Sequence, residues 1–232
     1  KAGGHIIATY DTGCYDQKGY RLGYDRVKDL FGIKSMNKTL KYDTGTSFAT
    51  VSSPYADELN SDVITGPLKL IDCSFEDGVE SIAKINKPMG GRYVAFPEME
   101  LELITINSYG KGKCIYCSGN IGEFIHSTGY TDDMKLINRL ISNHANTLIK
   151  STAPQSVEVV VRYQKHADRY TLHLINMTGE MTRPMERLIP ITDFTIKLDL
   201  PDDINQVTVL DDAVKASYDK QNKTISIDRL DD

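Results

Sequence analysis

The sequence predicts an α/β domain built on a parallel sheet, followed by a small antiparallel β-sandwich. Three observations carry this expectation. A short apolar run at residues 5–10 leads through a polar loop into a helically spaced segment at 24–31, which is the strand-then-helix order of parallel sheets. An amphipathic stretch at residues 132–150 predicts a long helix that closes the first domain. Beyond Ser151-Thr152-Ala153-Pro154 the chain runs on in short β-prone segments with no helix between them, the pattern of an antiparallel sandwich. The expected division is therefore 1–150 and 155–232, joined by a linker at 151–155.

Composition agrees with a globular protein. Of 232 residues, 40% are hydrophobic and 25% charged, which excludes disordered and collagen-like chains. The length falls short of a complete (β/α)₈ barrel, which needs about 250 residues. With 27 basic and 32 acidic residues the net charge is -5, and no basic block offers nucleic acid a footprint. No apolar run approaches the roughly 18 residues of a membrane span. Neither nucleic acid nor membrane is an expected partner. The chain opens on Lys1-Ala2-Gly3-Gly4 and enters an apolar run at once, as a fragment with its natural start upstream would.

The elements follow in order. Residues 5–10 form an apolar strand bounded by Gly4 and by Asp11-Thr12-Gly13, apolar enough to be central in its sheet. Tyr24, Val27, Leu30 and Phe31 are spaced for a helix that Gly32 ends. Six β-prone runs then appear, at 47–53, 68–75, 79–85, 92–96, 101–109 and 113–118, separated by Gly- and Pro-containing turns. The last two flank Gly110-Lys111-Gly112 and predict a hairpin. In the long helix Met134, Ile137, Leu140, Ile141, Ala145 and Leu148 make one stripe, with His144 on it as a packed side chain. The second half supplies runs at 156–164, 169–176, 188–200, 206–210, 214–218 and 224–230.

Catalytic signatures are absent. There is no nucleophile elbow, P-loop, dinucleotide fingerprint or paired zinc motif, so no cofactor and no metal are expected. Cys114 and Cys117 have C-x-x-C spacing. On a strand, however, residues three apart face opposite sides, so the four cysteines are expected to be buried and structural. Glu98, Glu100 and Glu102 alternate with apolar residues, which predicts a solvated strand face.

The most suggestive cluster is the loop after the first strand. It holds Tyr10, Asp11, Thr12, Tyr15, Asp16, Tyr20 and Arg21. In open α/β sheets ligands gather at the carboxyl ends of strands. Tyrosines beside carboxylates suit a domain or subunit interface, or stacking on a sugar with hydroxyls bonded to the acids. These seven residues are the candidate ligand or interface residues, with no catalytic residue among them.

Several segments together resemble the C-terminal part of glycoside hydrolase family 42 β-galactosidases and their relatives. The run from Gly3 to Gly13, then Gly19 and Asp29-Leu30-Phe31-Gly32, resembles their trimerisation domain. So do Tyr109-Gly110-Lys111-Gly112-Lys113-Cys114-Ile115-Tyr116 and the helical stretch 129–148. Residues 157–191, with His173-Leu174-Ile175-Asn176 and Ile189-Pro190, resemble the small β-sandwich that ends these proteins. The resemblance implies a partial flavodoxin-like fold of the class I glutamine amidotransferase type, without its catalytic cysteine. It implies opening strands and a catalytic barrel before Lys1, and a homo-oligomer; separately, the chain stops at Asp231-Asp232 just after a strand-like run, as a sandwich missing its last strand would. The function implied is a non-catalytic accessory or oligomerisation region of a glycoside hydrolase. A stand-alone carbohydrate-binding or interaction module is the second possibility. An active amidotransferase-like or hydrolytic enzyme is the third.

Overall fold

The computed structural model describes residues 3–43, 47–91, 93–145, 147–179, 187–211 and 214–231. The chain divides into two compact units, Lys1–Ala145 and Asn146–Asp232.

The first unit is dominated by strands. In chain order it holds β1 (Ile6–Thr9), α1 (Lys28–Phe31), β2 (Ile33–Lys41), β3 (Phe48–Val51), β4 (Val63–Thr65), β5 (Lys69–Phe75), β6 (Glu80–Asn86), β7 (Met99–Tyr109), β8 (Gly112–Cys117), α2 (Ile121–Thr128) and α3 (Thr131–His144). Six strands make one sheet in the order β1-β8-β7-β6-β3-β4, and β2 and β5 form a separate ribbon. Among the described residues, only β1 and β8 run parallel in the sheet; its other pairs are antiparallel.

This corrects the predicted fold class. The unit is not a flavodoxin-like or amidotransferase-like parallel sheet with crossover helices. The segment after β1 supplies only the four-residue α1, too short to carry a crossover between parallel strands, which takes a dozen residues or more. The chain between α1 and α2 is spent on antiparallel strands instead.

The sheet is covered on both faces, and β8 shows how. Ile115 and Cys117 pack into a cluster with Leu103, Ile121, Leu136 and Leu140, which brings α2 and α3 onto one face. Cys114 and Tyr116 belong to a second cluster with Ala8, Phe31, Ile33 and Cys73, contributed by β1, α1, β2 and β5. Strand alternation therefore sends the two cysteines of the C-x-x-C to opposite sides. All four cysteines are buried and free. Burial pushes the Cys73 and Cys117 thiols up to about 12.

The β7–β8 hairpin closes with Tyr109 opposite Gly112, and Gly110 takes a φ of 62° in the turn, a conformation open to glycine. Gly112 has a second constraint: a Cβ there would stand 2.0 Å from the Gly4 carbonyl oxygen. Gly32 ends α1 in the left-handed region, φ 63°. On β7, Glu102 pairs with Lys84 at 2.9 Å, and Glu98, just before the strand, pairs with Lys87.

Three expectations about elements fail. The helix expected to reach residue 150 stops at His144, and Ala145 is already extended. Residues 149–151 are strand, because β12 offers them a ladder. Residues 93–96 are irregular, with Tyr93 fully exposed; Arg92 lies outside the described residues. Residues 206–210 join no sheet.

The second unit is antiparallel in every described pair. It comprises β9 (Ile149–Ser151), β10 (Val157–Gln164), β11 (Arg169–Asn176), β12 (Ile191–Leu198), β13 (Ala216–Asp219) and β14 (Thr224–Leu230). A four-stranded sheet, β13-β14-β12-β9, stands beside the β10–β11 hairpin. Val157, Val159, Val161, Tyr170, Leu172 and Leu174 of the hairpin pack with Phe194, Ile196, Ile225 and Ile227 of the sheet.

Candidate functional site

Residues 10–24 leave the carboxyl end of β1 as a compact loop. Tyr10 starts it with a φ of 54°, uncommon for a residue with a side chain. Two contacts hold it there. The Tyr10 amide donates to the Cys117 carbonyl at 2.7 Å, and the Tyr116 hydroxyl donates to the Tyr10 carbonyl. The Tyr10 ring is partly buried against the cluster that contains Phe31 and Tyr116.

The next residues spend their polar groups on the loop itself. The Thr12 hydroxyl donates to the Thr9 carbonyl at 2.6 Å. Asp16 Oδ1 accepts from the amides of Lys18 and Tyr20, each at 2.8 Å, so this carboxylate stabilises its own turn. Tyr15 and Arg21 bridge as an antiparallel pair, and the Leu22 amide donates to the Cys14 carbonyl at 2.7 Å. Cys14 is buried beneath this small hairpin. Burial raises its thiol pKa, the Asp11 carboxylate adds to the rise, and Arg21 opposes it.

The seven sequence candidates therefore separate. Tyr10, Thr12 and Asp16 build the loop. Asp11 is half-buried beside Cys14. Tyr15, Tyr20 and Arg21 face outward with Leu22; Tyr15 is 45% exposed and Tyr20 68%. The strand that carries the loop is an edge strand of the sheet, not a central one. Its Ile6 and Ile7 are both exposed, although neighbouring strand residues point to opposite faces. The loop therefore shows Tyr15, Tyr20 and Leu22 to solvent, and the edge strand that carries it shows Ile6 and Ile7.

A second constellation lies in the second unit. A cleft of about 780 Å³ opens between β11 and residues 202–211. Leu198, Leu200, Ile225 and Ile227 line its apolar side, while the exposed Asp168, Arg169 and Asp202 stand at its rim. Tyr170 lines it as well. Tyr163 is opposite Tyr170 in the β10–β11 register, with ring centroids 5.0 Å apart. Each hydroxyl donates to a carboxylate: Tyr163 to Asp168 Oδ1 at 2.8 Å and Tyr170 to Asp202 Oδ2 at 2.7 Å. Donation to Asp202 pushes the Tyr170 hydroxyl pKa up to about 12. Asp203 is paired with Lys223 at 3.5 Å, and Arg169 Nε donates to Gln164 Oε1 at 2.7 Å. Sequence reasoning did not single out this cluster. Tyr163 and Tyr170 stand at the facing ends of the predicted runs 156–164 and 169–176, and antiparallel pairing of those two runs is the one signal that points to the cluster.

No group of three or more His, Cys, Asp or Glu side chains is placed to hold a metal ion among the described residues. No described helix is long and apolar enough to cross a membrane.

No protein-family model matches the chain, and no curated protein matches it either. Solved structures do. The α-L-fucosidase isoenzyme 2 from Paenibacillus thiaminolyticus aligns with a TM-score of 0.62 and 14% identity, over 98% of this chain and 35% of that one. The β-galactosidase from Bacillus circulans sp. alkalophilus aligns with a TM-score of 0.55 and 14% identity, over 98% of this chain and 29% of that one. The chain shares the fold of a part of each of these two enzymes. It spans about a third of the length of these two structures. At this level of identity the likeness is one of fold, and a fold hosts many functions.

Proposed function

We propose that this chain is a non-catalytic accessory region of a larger glycoside hydrolase, of the β-galactosidase-like kind its sequence resembles. Its role is assembly: the surface made by β1 and the 10–24 loop docks against the catalytic part of the parent enzyme in a homo-oligomer. The supporting observation is the exposed face of Tyr15, Tyr20 and Leu22 beside the open edge of β1, where Ile6 and Ile7 are also uncovered. Tyrosine is favoured at interfaces because its ring is apolar and its hydroxyl is wet. The fold likeness adds to this reading, since nearly all of the chain matches a minor part of each enzyme.

The chain alone is expected to give no turnover of aryl β-galactosides or aryl α-L-fucosides. In the full-length parent, Tyr15→Ser with Tyr20→Ser is expected to weaken assembly or raise KM. The same pair is expected to leave the melting temperature of this chain nearly unchanged, because both side chains are solvent-facing here. Turnover by the chain alone, abolished by a single Asp or Glu substitution, would overturn the non-catalytic reading. A double variant that unfolds the chain yet leaves parent assembly and kinetics intact would overturn the docking role.

A further inference from the structure

We propose that the cleft of the second unit is a carbohydrate-binding site, with a sugar ring laid against Tyr170 and its hydroxyls held by Asp168 and Asp202. The site is built from residues other than those of the 10–24 surface and serves binding, not bond cleavage. Its choice of ligand class draws on the glycoside-hydrolase reading above.

The geometry matches the mixed character of a sugar. A pyranose has an apolar C–H face and a rim of hydroxyls. At this cleft a tyrosine ring and two carboxylates stand together on the boundary between an apolar interior and solvent. Concave sites that are mostly apolar, with a few convergent polar groups, are the usual form of small-molecule sites. The aromatic groups are also held in place before any ligand arrives. Tyr163 and Tyr170 pack against each other, and each hydroxyl is tethered to an acid. Such preorganisation lowers the ordering cost of binding.

The tethers leave capacity for a ligand. Asp168 uses Oδ1 and Asp202 uses Oδ2, so the other oxygen of each carboxylate can accept a sugar hydroxyl in a charge-assisted bond. Tyr163 is 49% exposed and extends the aromatic surface beyond the rim. The local charge does not favour a cation as occupant. Asp203 is already paired with Lys223, and Arg169 lies beside Asp168 at the rim.

The test uses the whole 232-residue chain, titrated with D-galactose, L-fucose and a galacto-oligosaccharide by calorimetry and saturation-transfer NMR. Saturable binding to at least one of them is expected. Tyr170→Ala and Asp202→Asn are each expected to weaken it by about tenfold, the scale of one lost stacking or hydrogen-bonding contact. Tyr170→Phe keeps the ring while releasing Asp202, and is expected to fall between wild type and Tyr170→Ala. Melting curves establish that each variant is folded. Tyr15→Ser with Tyr20→Ser is expected to leave sugar binding unchanged, so this site and the docking surface stand or fall separately. Two outcomes would overturn the proposal: no saturable binding to any of the three sugars, whether or not an octyl probe occupies the cleft, or binding unaffected by both Tyr170→Ala and Asp202→Asn.

Discussion

The imidazole rings of His5 and His144 stand with centroids 5.8 Å apart, tilted by 47°. The contact ties the entry to β1 to the last residue of α3. His5 Nδ1 accepts from the Lys113 amide at 3.1 Å, while His144 Nε2 is buried without a hydrogen-bond partner among the described residues. Burial lowers the His144 pKa first; His5 and Lys113 lower it further, and Glu80 opposes them.

A pH dependence follows with a definite sign. A histidine whose pKa is depressed by folding binds its proton more tightly when unfolded. Its contribution is present above its ordinary pKa of 6.5 and is lost as pH falls through the lower folded value. Thermal melts between neutral and mildly acidic pH are expected to show this loss, and His144→Gln is expected to remove it. A melting profile identical in wild type and variant would refute the assignment.

Asp133 predicts the opposite slope. It is 1% exposed, with Oδ2 accepting from the Thr65 hydroxyl at 3.3 Å and Oδ1 without a partner among the described residues. Burial pushes its pKa up from 3.8 to about 6. A raised folded pKa means stability fully present below 3.8 and lost as pH rises through about 6. The displacement corresponds to roughly 3 kcal/mol of ionisation cost at neutral pH. Asp133→Asn is expected to recover part of that cost at pH 7 and to flatten the slope across the acid range. A variant less stable than wild type at pH 7 would show that the charged form is needed.

Gly112→Ala tests how β1 is held. The added Cβ meets the Gly4 carbonyl at 2.0 Å, so the entry to β1 has to move. Overpacking of this kind costs about 1–3 kcal/mol. Chemical denaturation is expected to show a loss in that range, and a neutral result would mean that this backbone approach relaxes freely.

The thiols give a simple check on burial. Cys14, Cys73, Cys114 and Cys117 are each no more than 5% exposed, and burial raises all four thiol pKa values. Thiolate is the reactive form, so a thiol reagent at neutral pH is expected to label the native chain far more slowly than the denatured chain. Rapid native labelling of one thiol would identify a segment that opens.

Local chemistry was legible in the sequence. The Gly110 turn with its two strands, the Gly32 cap, the helical run in which Leu140 is buried, and the opposed directions of Cys114 and Cys117 each depend on a few neighbouring residues. So does the strand-rich character of the chain beyond Pro154. Tertiary pairing decided the rest. β2 was invisible because its ladder with β5 shifts register between Ile33 and Ser35 and again between Met36 and Thr39. Such irregularities break the two-residue alternation by which strands are recognised. Ile149 lies in the stretch expected to be helical yet pairs with Leu198 of β12, because a strand partner outweighs a modest helix preference. The apolar run of β1 predicts burial, but its place at the sheet edge leaves Ile6 and Ile7 in solvent. Which strand lies at an edge is a property of the whole topology, and no window of residues contains it. The cleft is of the same kind. Tyr163 and Tyr170 meet through the register of a hairpin, and Asp202 reaches Tyr170 from a different part of the chain. Only folding brings the two rings and their acids to one rim.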